Sequence, residues 1–427
     1  MGAAHGVSPA PAESAMEAAR AAHDAAERAA RQSYGRLVAI LSARTRDIAA
    51  SEDALAEAFA RALERWPQDG VPLQPDAWLL SVARHRVLDA WRHRLVQDEA
   101  AQTLLLLADE LADDHGEGAM AVPDERLRLL FVCAHPAIDA AARAPLMLQT
   151  VLGLDAARMA GAFLTAPATL GQRLVRAKAR IRAAAIPFEF PRARDLPQRV
   201  QDVQDGIYAA YGTGWDEVDG GDPTRRGLTA EAIDLGRILC GLMPGDAEAH
   251  GLLALMLFCE SRAAARRGEA GDYVPLDRQD IARWDEAMRQ QAEQALRHAA
   301  GLGQLGAYQI EAAIQSAHCA RRLGAEVPAD ALVALYDALL ALRPGIGARV
   351  SRACAIASAQ GHAAGLRALD EMSPAEIANY QPFWAARAHL LGQAGQLDAA
   401  REAYARASGL STSPAIRAYL AAEAARL

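Results

Sequence analysis

The chain has 427 residues, 102 of them Ala and 44 Arg against a single Lys (Lys178), with a formal net charge of −8. Apolar residues make up 52 % and aromatic residues only 5 %. Ala and straight-chain residues lose little side-chain entropy in a helix, whereas the β-branched and aromatic residues that populate sheets are scarce. This composition excludes a β-sandwich or barrel, and a chain so apolar is not intrinsically disordered. At roughly 100–200 residues per domain, an all-α protein of two to four domains is expected.

Five cysteines (Cys133, Cys240, Cys259, Cys319, Cys354) lie far apart with no CxxC pair, so neither a disulfide framework nor a zinc ribbon is expected. The N-terminus, with Glu13, Glu17 and Arg20 among its alanines, lacks the apolar core of a signal peptide. The longest strongly apolar stretch, Leu252 to Cys259, is far too short to span a membrane. The expectation is a cytoplasmic protein with no membrane contact. Charge is unevenly distributed: residues 1–95 balance, 96–125 carry 9 acidic and no basic side chains, and 126–186 carry 9 basic against 2 acidic. A basic module inside an acidic chain points to a local polyanion site.

Residues 15–66 read as helices, with an apolar face in Arg36-Leu37-Val38-Ala39-Ile40-Leu41. Ser51, followed by Glu52 and Asp53, reads as an N-cap with carboxylates in the first turn. Leu55, Phe59, Leu63 and Trp66 continue as an amphipathic stripe that Pro67 is expected to end. After a loop over Gln68–Gln74, a second helix is expected from about Asp76 to Arg94. Its Arg84, His85, Arg86, Arg92, His93 and Arg94 can track a nucleic-acid backbone; Trp78 reads as a core anchor, and Trp91 as either core or a stacking platform.

The acidic stretch around Asp113-Asp114-His115-Gly116-Glu117-Gly118 reads as a flexible linker. Beyond it, a helix at Asp155–Phe163, a break at Leu164-Thr165 and a helix from Ala166 to Ala185 have the proportions of a helix-turn-helix. Thr165 is placed to cap the last helix and Pro167 sits in its first turn, where its missing N–H is harmless. Leu170, Leu174, Ala177 and Ile181 then face the core, opposite a row of donors: Thr169, Gln172, Arg173, Arg176, Arg180 and Arg182.

Pro187, Pro191 and Pro197 read as a hinge before the C-terminal part. There, Trp384, Ala388, Leu391, Gly395, Ala400, Tyr404 and Ala407 match the spacing of a tetratricopeptide unit, in which small residues let antiparallel helices approach. Partial echoes run from Ala232 to Leu257 and from Leu332 to Gly361, so a helical solenoid is expected. Gly301-Leu302-Gly303-Gln304-Leu305-Gly306 fits GxGxxG, but a helix rather than a strand precedes it, so no dinucleotide site is expected. No Walker A, HExxH or GxSxG sequence occurs, and His115 and His318-Cys319 lack a ligand set. Neither a cofactor, a metal nor an enzymatic activity is expected.

Ser51-Glu52-Asp53-Ala54-Leu55-Ala56-Glu57-Ala58-Phe59 resembles the core-polymerase-binding helix of the extracytoplasmic-function (ECF) group of sigma-70-type RNA polymerase sigma factors. Trp78-Leu79-Leu80-Ser81-Val82-Ala83-Arg84-His85-Arg86 resembles that group's promoter-melting helix, and Ala166–Lys178 its recognition helix for the −35 element. Residues from Glu189 to Leu427 are similar to the tetratricopeptide-like extension of one ECF subgroup. The resemblance implies sigma domain 2 over residues 15–95, an acidic linker over 96–123, sigma domain 4 over 124–186 and a regulatory extension over 187–427. It implies contact with the β′ clamp helices of core RNA polymerase through Glu52, Asp53, Leu55, Glu57 and Phe59, and with the β flap. Trp78, Arg84, His85, Arg86, Trp91 and Arg92 would meet the −10 element, and Thr169, Gln172, Arg173, Arg176 and Arg180 the −35 element. The solenoid would take a protein partner or contact the rest of the chain. The alternative reading is a helix-turn-helix regulator with a tetratricopeptide sensor that binds promoter DNA without polymerase.

Overall fold

A computed structural model describes residues 11–95, 124–160, 163, 165–192, 194–215 and 223–427. Regular structure among these residues is all-α: twenty α-helices, three short 3-10 turns, a lone bridge between Arg267 and Tyr273, and no strand. None of the described helices is long and apolar enough to cross a membrane. The helices form two compact units, residues 1–210 and 211–427.

The first unit opens with α1 (Pro11–Gln32), α2 (Tyr34–Thr45), α3 (Ile48–Asp69) and α4 (Pro75–Leu95). Helix α1 packs on α3, and Ala22, Ala25, Ala26 and Ala29 form its buried stripe, where small side chains permit close approach. Two local expectations are corrected in α3. Its N-cap is Asp47, whose carboxylate accepts from Ala50 N at 3.1 Å, while Ser51 is buried inside the helix and donates to the Asp47 carbonyl at 2.8 Å. Pro67 does not end the helix, which runs on to Asp69 and closes at Gly70 (φ 85°). A proline that close to the end removes a single backbone bond in the last turns, so the helix passes through it.

A second module follows in the same unit: α5 (Glu125–Cys133), α6 (Ala140–Leu152), α7 (Ala156–Met159) and α8 (Pro167–Ala183). Pro167 opens α8, and Leu170, Leu174, Ala177 and Ile181 are buried as the periodicity requires. Thr165 does not cap it: the N-cap position is Ala166, and the Thr165 hydroxyl donates to the Phe163 carbonyl at 2.9 Å. The two modules pack together through α2, which meets both α5 and α6. Gly35 of α2 lies so close to α6 that a Cβ there would stand 1.7 Å from the Val151 carbonyl oxygen.

The proline segment is part of this unit. Phe188 and Pro191 are buried, and Phe190 meets Phe131 edge-on at 4.8 Å. Helix α9 (Leu196–Trp215) then docks on α6 through the Arg143–Asp202 pair (2.8 Å) and the approach of Gly206 to Met147. The boundary between the two compact units falls within α9, at Ala210/Tyr211. The expected linker, residues 96–123, lies outside the described residues.

The second unit comprises α10 (Pro223–Leu242), α11 (Ala247–Glu260), α12 (Glu286–Gly301), α13 (Ala307–Arg322), α14 (Ala329–Leu342), α15 (Ile346–Gln360), α16 (His362–Asp370), α17 (Pro374–Ile377), α18 (Gln381–Gln393), α19 (Leu397–Leu410) and α20 (Pro414–Ala425). Helix α11, apolar on nearly every side, is buried between α10, α12 and α13. Ala388, Ala400 and Ala407 are fully buried where α18 and α19 pack, which is the use of small residues expected from their spacing. The 3-10 turns between α11 and α12 pack back on α20: Arg278 forks onto Glu423 at 2.8 and 2.7 Å, and Tyr273 meets Tyr419 edge-on.

Candidate nucleic-acid interface

Asp47 and Ile48 set the phase of α3, and that phase sorts the five candidate core-binding residues. Leu55 is wholly buried, so it anchors the helix instead of meeting a partner. Asp53 is exposed, and Glu57 and Phe59 are half-buried on the accessible side. Glu57 bridges two arginines, Arg61 at 3.2 Å and Arg86 of α4 at 2.5 Å. Glu52 faces the second module and pairs with Lys178 of α8 at 2.5 Å, the two side chains being only 16 % and 12 % exposed. Burial lifts the Glu52 carboxyl above its ordinary range, although Lys178 pulls it down. Asp47 completes the seam by pairing with Arg182 at 3.2 Å.

On α4, Trp78 is half-buried and meets Trp66 edge-on at 5.5 Å, which fixes the start of the helix against the end of α3. Arg84 is half-buried, His85 is exposed with Nδ1 2.7 Å from the Ser81 carbonyl, and Arg86 is held by Glu57. The side chains of Trp91 and Arg92 lie outside the described residues. Leu73, in the loop before α4, is fully exposed, and a cleft of about 690 Å³ opens beside this loop between α1, α2 and α4. Within it, Asp76 accepts from Ser33 (2.6 Å) and Arg36 (2.8 Å).

The α8 row is brought together on one face. Thr169, Gln172, Arg176 and Arg180 are exposed and Arg173 is half-buried. Arg176 folds back onto the Gln172 carbonyl at 3.3 Å, and Arg180 reaches the Ala137 carbonyl at 3.4 Å. Val175 joins this row, 68 % exposed among the polar side chains. Lys178 lies off the row, turned toward Glu52, and no periodicity within α8 indicates this partner.

The glycine motif lies between two helices, with Gly301 ending α12 and Gly306 preceding α13. The N-terminus of α13 is already occupied: the Glu248 carboxylate accepts from Tyr308 N and Gln309 N at 2.9 and 3.0 Å. A Cβ on Gly306 would collide with that carboxylate, so the glycine serves an internal cap.

Residues 29–95, the α2–α4 region with the end of α1, match the model of sigma-70 region 2. Residues 199–300 match a family of unknown function, DUF6596. The chain is 36 % identical over 385 residues to an uncharacterised protein of Rhizobium meliloti, covering 88 % of this chain and 89 % of that one. It is also 34 % identical over 162 residues to a probable RNA polymerase sigma factor of Xanthomonas campestris pv. campestris, covering 35 % of this chain and 40 % of that protein. No solved structure matches.

Proposed function

We propose, from the premise that the chain belongs to the sigma-70 family of RNA polymerase sigma factors, that it is an ECF-type factor directing core polymerase to −35 and −10 promoter elements. The match of region 2 to residues 29–95 carries this reading, because it falls on the module that presents both an acidic face on α3 and a basic helix, α4. Asp53, Glu57 and Phe59 would meet the β′ clamp helices. The loop before α4, with Leu73 exposed beside the cleft, would hold an unstacked base of the −10 strand, the physical route to strand opening. Helix α8 would act as the recognition helix of a helix-turn-helix in the major groove, its Arg side chains on phosphates and its N-terminal Thr169 and Gln172 nearest the base edges.

In this reading the protein is a binding factor with no catalytic chemistry of its own, and the second unit is a tetratricopeptide-like extension that regulates it. The paired helices α18 and α19, with alanines at their contact, support the repeat assignment. Binding to core polymerase tests the reading directly. The chain should co-elute with core, and Asp53→Arg should reduce that affinity at least tenfold without lowering the melting temperature. Binding of promoter duplex with no affinity for core would favour the helix-turn-helix regulator instead.

A further inference from the structure

The 3-10 segment between α11 and α12 meets α20, and a cavity of about 330 Å³ opens where they join. That size falls at the small end of ligand pockets, ~300–1,000 Å³. Tyr273, Val274 and Pro275 line it from the segment, and Tyr419 and Ala422 from the helix. The two phenol rings meet edge-on at 5.4 Å, which gives the cavity an aromatic wall. Among the described residues neither Tyr hydroxyl has a hydrogen-bond partner. Burial first, and then the charge of Glu423, push the Tyr419 phenol up to about 12, so it stays a donor at neutral pH.

The charges around this cavity are unequal. Arg278 and Arg426 both line it, and both donate to one carboxylate, Glu423. Glu423 is only 9 % exposed, whereas the two arginines are 45 % and 62 % exposed, so the cations are the accessible groups. Asp272 also lines the cavity, but its carboxylate covers Gly268, where a Cβ would stand 2.3 Å from Oδ1. Asp277 is exposed on the same segment outside the lining. Two guanidinium groups therefore share one buried carboxylate beside an aromatic wall. The dipole of α20 accounts for a cation at Arg426, but not for a cavity with two unpartnered phenols.

We propose that this cavity is a binding site for a small aromatic carboxylate. The ring of the ligand would lie against Tyr273 and Tyr419, and its carboxylate would take hydrogen bonds from Arg426 and the Tyr hydroxyls. Such a ligand touches both the 3-10 segment and the last helix, so binding fastens α20 to the body of the second unit and stabilises it. The inference is independent of the polymerase reading, because every residue in it belongs to the second unit.

The test is calorimetric titration of the full chain with benzoate and with indole-3-acetate, paired with thermal denaturation. At least one of these acids should bind saturably and raise the melting temperature. Acetate, which lacks the ring, and benzamide, which lacks the charge, should each bind at least about tenfold more weakly. Arg426→Gln should weaken binding of the aromatic acid by about tenfold, the loss of one charge-assisted hydrogen bond. Ala422→Glu, at an exposed position of α20 that keeps the fold, should abolish binding by placing a carboxylate in the cavity. No saturable binding of either acid to the folded chain, or binding that both substitutions leave unchanged, would overturn the proposal. Acetate binding as tightly as the aromatic acids would mark an adventitious ion only and overturn it as well.

Discussion

Lys178 Nζ donates to Glu52 Oε2 across 2.5 Å, tying the recognition-helix candidate α8 to the first turns of α3. The lone lysine of the chain therefore serves a seam between two modules instead of the polar row on α8. The pair is mostly buried, so removing one partner leaves a charge without compensation, which costs more than the intact pair contributes.

Lys178→Met should therefore destabilise the first unit by about 1–3 kcal/mol at neutral pH, the full buried-pair penalty being reduced by residual exposure. Lys178→Met with Glu52→Gln should recover most of that loss. The sign of the pH effect follows from the raised Glu52 pKa. The folded chain holds that proton more tightly than the unfolded chain, so stability rises as pH falls from the folded pKa to the ordinary carboxylate value. Without Lys178 the window moves up, and the deficit of the single variant should shrink on acidification. Thermal denaturation of the three proteins across pH checks this.

Gly35→Ala should be among the most damaging single-atom insertions in the chain. The new Cβ would meet the Val151 backbone carbonyl, which cannot swing away as a side chain can. A loss of at least about 3 kcal/mol is expected, at the upper end of overpacking effects. Gly171→Ala in α8 is the contrasting case: its Cβ would find only Ala156 at 4.0 Å, so helix propensity should stabilise by about 0.5–1 kcal/mol. Denaturant unfolding of both variants measures the difference.

Glu423→Gln should loosen the attachment of α20 to the 3-10 segment. The hydrogen bonds from Arg278 depress the Glu423 pKa below its ordinary value. Stability from this carboxylate is therefore present above the ordinary carboxylate range and lost as pH falls through the folded pKa. The variant should melt lower than the parent at neutral pH, by an amount corresponding to about 1–2 kcal/mol, and the gap should close in acid. Equal gaps at neutral and acid pH would contradict the ionic role.

What periodicity could and could not foretell is visible in α3 and α8. The buried row Leu170, Leu174, Ala177 and Ile181 follows from spacing alone, because a helix face is a local property. The start of α3 does not: Asp47 and Ser51 are both good capping residues one turn apart, and the burial of Ile48 and Ser51 favours the earlier one. Glu52 and Lys178 are 126 positions apart, and only the packing of two modules brings them together. Prolines suggested a hinge, but Phe188, Phe190 and Pro191 supply enough apolar surface to fasten the segment down.

The measurement closest to the central claim is run-off transcription with purified core RNA polymerase on genomic promoter fragments. The account predicts discrete transcripts that require the full chain, weaken steeply with salt, and are lost with Asp53→Arg or with Arg173→Ala and Arg176→Ala together. No transcript above core polymerase alone, from folded protein that binds core, would contradict it.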